Sequence, residues 1–410
     1  LDRLPDSRRL AQVASVIGRH FPLTVLRRLW QEEVDERLTE LEEGGILECR
    51  GDDAGFRHGL LQEAAYHSLL QQERQLLHRR LGWLLQAEFP EYRAHRPEVL
   101  AFHFQQANLP EEASRYFEAA AMKALWRSAS LEALAHLDQA MELVRGPEAE
   151  LRLLGRRLAP LVLSRGYGSE EVALVSQRAM ELAGRIKKPS FEALRGLWAY
   201  HHVRSLRDQA DLLSRQLLDL ARDGSPIWQM EALVVAGVGA CQRARWDEAR
   251  QFLVQATARK AGPTRELTGL FGHDSMVVGL GHLGLALVQL GHCDQVEPLL
   301  RRARQRGRSH PVNRIIAAIL SGMCYQLLER PAAALSLASR ACELCHLHGV
   351  RHWLGLAQGI HGWALAGQGE AERGLALVRQ GLVNRRAVGA SQSLPYLHWL
   401  EALVARMADR

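Results

Sequence analysis

Small or apolar side chains separated by four and then three residues return along this chain at a nearly fixed interval. The triplets include Ala133/Leu137/Ala140, Val172/Ser176/Ala179, Ala210/Ser214/Leu217, Ala249/Leu253/Ala256, Val296/Leu300/Ala303, Ala334/Ala338/Ala341 and Gly374/Val378/Gly381. Their first positions step by 39, 38, 39, 47, 38 and 40 residues. Four-then-three spacing keeps each triplet on one helical face. Twelve residues before the anchor several units carry a small residue (Ala101, Gly237, Gly284, Gly322, Gly362), which admits a second helix at close range. Turn-rich stretches such as NLPEEA (108–113), RWDEA (245–249) and GHCDQV (291–296) separate the two positions. Each unit is therefore expected to be a helical hairpin that buries its apolar face by stacking on its neighbours. An earlier triplet, Ala113/Phe117/Ala120, lies only 20 residues before Ala133, so the bounds of the first unit stay open.

The small residue, the turn and the alanine-centred second helix resemble the tetratricopeptide repeat. The likeness spans about residues 98–390 and is clearest in AGVGACQRARWDEARQFLVQA and GHLGLALVQLGHCDQVEPLLRRA. It weakens over 150–210, where Pro160 and Trp198 replace the small residue, and the period exceeds the family's usual value of about 34. In that family the second, fifth, ninth and twelfth residues of the first helix line a concave groove. Carried onto this chain, the rule gives Glu231, Val234, Val238 and Cys241, then Val278, Gly281, Leu285 and Val288. The next two units give Ile316, Ile319, Met323 and Gln326, then Leu356, Gly359, Trp363 and Ala366. The resemblance thus implies an apolar groove for a protein, peptide or small ligand. Its candidate residues are Val234, Val238, Leu285, Val288, Ile319, Met323 and Trp363, with Glu192, Arg195 and His202 adding charge earlier. The alternative is that tight winding buries these side chains against one another.

Residues 1–90 have another rhythm. Helical patterns run over 6–17, 23–30 and 33–43, the last stopped by Gly44-Gly45. ILECR (46–50), a Gly51–Gly55 turn and FRH (56–58) predict a hairpin, and a helix follows near 60–72. Three helices and a hairpin make a winged-helix module. Its third helix, EEVDERLTELEE, carries Glu32, Glu33, Asp35, Glu36, Glu40, Glu42 and Glu43 against Arg37, a surface that phosphates repel.

The segments LDRLPDSRRLAQVASVIGRHF, LEEGGIL and FRHGLLQEAAYHSLL, followed by a repeat array, resemble signal-transducing ATPases of the STAND group. In many bacterial members the nucleotide-binding core sits behind a class III adenylate/guanylate cyclase domain and ahead of such an array. The resemblance implies a core upstream that holds ATP or ADP with Mg, and a histidine in a Phe-x-His-x-Leu pattern that senses its phosphate. Phe56, His58 and Leu60 fit that pattern, with Arg57 beside the histidine; Gly59 stands where a bulkier residue is commoner. Sensor and structural roles for His58 both stay open. The expected fold is mainly all-α, a small winged-helix head followed by an α-α superhelical tetratricopeptide-repeat solenoid. The expected divisions are 1–90 for the head, 91–150 for the first hairpins, and 151–400 for about six further repeats.

Other signals exclude more than they add. The chain has 47% hydrophobic and 24% charged residues, values of a folded protein. It starts at Leu1 without a basic-then-apolar leader, which reads as a fragment of a cytoplasmic protein; six scattered cysteines fit reduced thiols. Only Lys123, Lys187, Lys188 and Lys260 among 52 basic residues are lysine, and the densest basic cluster, RRARQRGR (301–308), reads as a solvated helix end, so the net charge of +6 predicts no nucleic-acid partner. The uncharged run from Ser275 to Cys293 carries His282, Gln289, His292 and four glycines, and predicts no membrane span.

GLGHLG (279–284) has the dinucleotide fingerprint spacing but no acid follows at 299–306, and Gly284 already serves the repeat. CELCH (342–346) has the haem-attachment spacing but falls in a repeat helix, so no metal site is expected. No lysine follows a glycine, so a phosphate-binding loop of the usual kind is absent, and with it a self-contained catalytic site. The expectation is a non-catalytic regulatory fragment without a cofactor of its own. A free-standing repeat scaffold, or the sensor part of a transcription regulator, are its rivals.

Overall fold

The computed structural model describes residues 5–30, 33–259 and 262–409. Glu32 of the acidic helix, Lys260 and the first four residues of the head motif lie outside them. Two compact units are present, one made of residues up to Ala121 with His136–Val144, the other of Met122–Ala135 with Arg145 onward.

The first unit opens with α1 (Pro5–Ile17), β1 (His20–Pro22), α2 (Leu23–Trp30), α3 (Asp35–Glu43), β2 (Leu47–Arg50) and β3 (Asp53–Phe56). The three strands form an antiparallel sheet in the order β1-β3-β2, with His20 opposite Gly55 and Leu47 opposite Phe56. The expected hairpin is there with a tighter turn, because Asp53–Gly55 pair as strand instead of looping. β1 escaped the sequence reading: three residues are too few to show a period. Leu10, Ala14, Leu26, Leu41, Leu47 and Phe56 fill the interior beneath the sheet. Several acids of the third helix serve this packing. Glu42 accepts the Cys49 N–H at 2.8 Å, Glu40 accepts the buried Ser7 hydroxyl, and Asp35 pairs with Arg27 at 2.7 Å.

Beyond the sheet, α4 (Gly59–His67) ends five residues short of the expected 72, and α5 (Gln71–Glu88) is a separate helix that the sequence reading did not foresee. α6 (Pro90–His95), α7 (Pro97–Gln106), α8 (Pro110–Trp126) and α9 (Ser130–Leu143) follow, the division between the units falling within the last two. Where α5 packs on α7, His78 and His103 are buried with their Nδ1 atoms 2.9 Å apart, and Tyr66 bonds the far nitrogen of His78 at 3.0 Å. One ring must donate and the other accept, so a further proton would set two N–H groups head to head. Burial pushes both imidazoles down, His78 to about 4 and His103 to about 3.

Both rings stay neutral in the fold and take up protons on unfolding once the pH drops below about 6.5, so stability falls with acid. At pH 5 each contributes about 2 kcal/mol of destabilisation relative to neutral pH. We expect the unfolding midpoint in urea to drop between pH 7 and pH 5, and His103→Gln to flatten that dependence. An unchanged pH profile in the variant would remove the pair from this role.

The second unit is an array of helical hairpins of the tetratricopeptide kind: α10 (Pro147–Arg165) with α11 (Glu170–Arg185), α12 (Phe191–Val203) with α13 (Arg207–Ala221), and α14 (Pro226–Gln242) with α15 (Trp246–Ala258). After an extra helix, α16 (Thr264–Phe271), come α17 (Ser275–Gln289) with α18 (Val296–Gly307), α19 (Pro311–Leu327) with α20 (Pro331–Leu347), and α21 (Arg351–Ala366) with α22 (Ala371–Ala387). α23 (Leu394–Ala408) closes the unit. Serine side chains cap α11, α12 and α14, and proline opens α14, α19 and α20, where its missing N–H costs no bond.

The inserted α16 accounts for the single 47-residue step. It ends at Gly272 in the left-handed region and meets α17 at 87°. Among the described residues no single helix is long and apolar enough to cross a membrane.

The sequence period is matched by a backbone period. Five residues before the anchor, in the turn between paired helices, Ser205, Ala244, Gly291, Glu329 and Gly369 all adopt positive φ. The small residue twelve before the anchor is where the paired helices touch: a Cβ on Gly237 would lie 2.5 Å from Leu253 Cγ, and one on Gly362 2.4 Å from the Gly374 carbonyl oxygen.

The array also closes on itself. The α10–α11 turn meets the turn after α22, where a Cβ on Gly168 would lie 2.9 Å from the Gly389 carbonyl oxygen. Arg204 donates to Gly168 O at 3.2 Å, and the Tyr167 and His352 rings stand 4.8 Å apart across the same seam. The Gln392 amide, oriented to satisfy both neighbours, donates to Val203 O at 2.7 Å and accepts from Arg385 at 3.0 Å. Arg385 itself is fully buried, donates to His352 O and to Ser393 Oγ, and is pushed down to about 9 by burial.

Candidate functional site

The first helices of successive hairpins, with α23, face inward around a cavity of about 520 Å³. This lies in the range of cavities that take small ligands. Its wall is mostly aliphatic and aromatic: Val234, Val235 and Val238 of α14, Leu285 of α17, Leu320 and Met323 of α19, Leu356 of α21, and Tyr396 and Trp399 of α23.

One side of the cavity is polar. Arg195 of α12 donates through Nε to Glu231 Oε1 of α14 at 2.8 Å, and both side chains are buried, Glu231 completely. Arg195 also reaches Nε2 of His273 at 3.4 Å, while Nδ1 of that ring lies 2.7 Å from the Tyr167 hydroxyl. A guanidinium can only donate, so Nε2 accepts and the neutral ring carries its hydrogen on Nδ1. His273 then donates to Tyr167 Oη, and the phenolic hydrogen is left for another acceptor.

Burial drives His273 and His352 well below the ordinary histidine range, takes His202 to about 3, and lowers His282, so these rings are uncharged at neutral pH. Burial likewise raises the Tyr167 phenol and takes the Cys241 thiol to about 12. Glu231 Oε2, Trp198 Nε1, His202 Nδ1, His352 Nδ1 and Trp353 Nε1 have no hydrogen-bond partner among the described residues. The guanidinium of Arg195 lies over Trp198 at 5.2 Å and near Tyr167 at 5.9 Å, which fixes it on the wall.

Of the seven groove residues expected from the repeat, Val234, Val238, Leu285 and Met323 line this cavity. Ile319 is fully buried, Trp363 is 5% exposed, Val288 is half-buried, and none of the three lines the cavity. The inward face of α17 runs through Val278, His282, Leu285 and Gln289, and that of α19 through Leu320, Met323 and Leu327. Relative to the repeat rule, alternate positions have moved on by one residue. The reason is local: the rule's Gly281 and Gly359 are helix contacts, with a Cβ there 2.4 Å from Leu320 and 2.2 Å from Leu397. α21 reaches the cavity near its start, through His352, Trp353 and Leu356, two turns before Trp363. Arg195, His202 and Glu231 were on the sequence-derived inner face, but their convergence on one wall was not foreseen. Tyr167 and His273 come from turns and Tyr396 and Trp399 from the last helix, where no repeat position exists to flag them.

His58 lies in the other unit as the N-cap of α4, exposed, in extended conformation and with no side-chain capping bond. Its neighbour Arg57 is also exposed and donates its backbone N–H to Ile46 O at 3.1 Å; Phe56 is buried and Leu60 is 77% exposed. GLGHLG lies in the middle of α17, with no strand or tight turn to receive a pyrophosphate. CELCH lies within α20, where burial raises the Cys342 thiol to about 12 and pushes Cys345 up too. Among the described residues no three His, Cys, Asp or Glu side chains are placed to hold a metal ion.

No family model matches the chain. An uncharacterized protein of Rhizobium meliloti (strain 1021) is 28% identical over 444 aligned positions, which take in all of this chain and 42% of that protein's length. A solved structure of a signal transduction ATPase with numerous domains (STAND) with a tetratricopeptide repeat sensor, from Pyrococcus horikoshii, aligns at 12% identity and TM-score 0.42, over 97% of this chain and 65% of that one. The tetratricopeptide domain of P58(IPK) aligns at 12% identity and TM-score 0.24, over 82% of this chain and 98% of that one.

Proposed function

We propose that this chain is the regulatory, non-catalytic part of a STAND-type signalling ATPase. The hairpin array receives a protein or ligand signal, and a winged-helix head passes it to a nucleotide-binding core carried elsewhere in the longer protein, which would hold ATP or ADP with Mg. One observation carries the reading. The first unit runs helix, strand, two helices and a two-stranded hairpin, and then starts α4 at His58. That order supports the winged-helix reading, and His58, Arg57 and Leu60, which follow the hairpin, are all exposed. The acidic third helix argues against DNA as the partner of that surface.

In the full-length protein, His58→Ala is expected to change nucleotide occupancy after purification or the basal nucleotide hydrolysis rate by severalfold, with the melting temperature of the head unchanged. Occupancy and rate both equal to the parent protein would leave His58 a structural helix start and favour a free-standing scaffold.

A further inference from the structure

We propose that the cavity of the second unit binds a small, uncharged, largely apolar molecule whose one polar end both donates and accepts a hydrogen bond, such as a primary amide or an alcohol. The inference rests on the reading of the array as the receiving part of the protein and names the chemistry received.

Recognition follows from what the wall offers. Glu231 and Trp198 both line the cavity, and Glu231 Oε2, an acceptor, and Trp198 Nε1, a donor, are buried with no partner among the described residues. The Tyr167 hydroxyl is a second donor, because His273 already donates to its oxygen. Buried polar groups left unpaired are costly, and a ligand end that offers a donor and an acceptor to this wall offsets part of that cost. The rest of the wall, Val234, Val238, Leu285 and Met323 among it, suits a hydrocarbon body.

Charge selects against ions. Arg195 and Glu231 neutralise each other, and burial keeps His202, His273, His282 and His352 neutral, so neither a carboxylate nor an ammonium would meet an uncompensated counter-charge. The cavity's volume of about 520 Å³ is that of a small-molecule site and is too small for a long peptide. The array is shut along one side at the Gly168–Gly389 seam, and the cavity opens to solvent beside Trp399 and Gln289, which are exposed residues on its wall.

The test uses the 410-residue chain, Nile red as an uncharged fluorescent reporter, and four ten-carbon competitors at pH 7: decanamide, 1-decanol, decanoate and decylammonium. Decanamide and decanol should displace the dye at concentrations at least tenfold lower than either ion. Val238→Trp and Met323→Trp, which fill the cavity from two different helices, should each abolish displacement; the variant whose melting curve matches the parent is the one to read. Trp198→Phe removes a donor while keeping the ring, and should weaken decanamide five- to tenfold with little change for Nile red. Displacement by the ions as readily as by the amide, or undiminished displacement in a folded cavity-filled variant, would overturn the proposal. Selective amide binding in a protein whose nucleotide occupancy ignores His58→Ala would keep the cavity assignment and remove the signalling reading.

Discussion

Glu231→Leu is expected to lower the stability of the second unit by about 3–5 kcal/mol, the usual consequence of leaving one partner of a buried ion pair without its counter-charge. Arg195 is held by Glu231 Oε1 at 2.8 Å and is itself buried, and its other contacts, to His273 and to the Trp198 and Tyr167 rings, are with uncharged groups. The double variant Glu231→Leu/Arg195→Met should recover most of that loss, since two apolar side chains of similar size in place of a buried pair are commonly neutral or stabilising. Urea unfolding followed by far-UV circular dichroism separates the two. A single variant within about 1 kcal/mol of the parent would show that the pair is solvated or rearranges freely. The comparison also bears on function, because a pair that can be removed without loss of stability is retained for something other than folding.

The second large effect concerns helix spacing. Gly362→Ala should destabilise the α21–α22 hairpin by about 3 kcal/mol, the upper part of the range for overpacking. Its Cβ would fall 2.4 Å from the Gly374 carbonyl oxygen and 2.7 Å from Val378 Cγ2, and a backbone atom cannot yield as a side-chain tip can. Gly374 has the reciprocal constraint, 2.4 Å from Gly362 O, so both chains of the hairpin are at closest approach there. The control is Gly239→Ala in α14, where nothing lies within 4 Å, and the better helix propensity of alanine should add up to about 1 kcal/mol. Thermal melting of both variants distinguishes packing from propensity. Two shifts of the same sign would contradict the close-approach explanation.

These glycines illustrate what the amino-acid sequence could reveal. A period near 39 residues exposed the hairpins because each unit solves the same packing problem, and the solution at Gly237, Gly284 and Gly362 is written in residue size. α16 is an insertion that appears in the sequence only as an odd interval, and β1 is too short to carry any alternation. The cavity was legible in part. Val234, Val238, Leu285 and Met323 followed from repeat position, because position fixes direction so long as the helices keep one rotation. Trp363 and Ile319 did not, since neighbouring helices occupy the faces that the rule assigns to the groove. Nothing local marks Tyr167 or His273 as partners of Arg195. Their meeting depends on where the array bends, a property of all its hairpins together.

The seam at Gly168 and Gly389 changes what kind of polymer the array is. In an open solenoid each repeat feels only its two neighbours, stability is close to a sum along a line, and end units fray first. Here the first and last hairpins of the unit are neighbours in space, so the line becomes a loop and its ends lose their independence. Loss of α21 and α22 would strip cover from the start of the array as well as its end, through Tyr167, Arg204 and the Gln392 amide. The loop also bounds entry: the cavity is shut at the seam and meets solvent beside the exposed Trp399 and Gln289 on its wall.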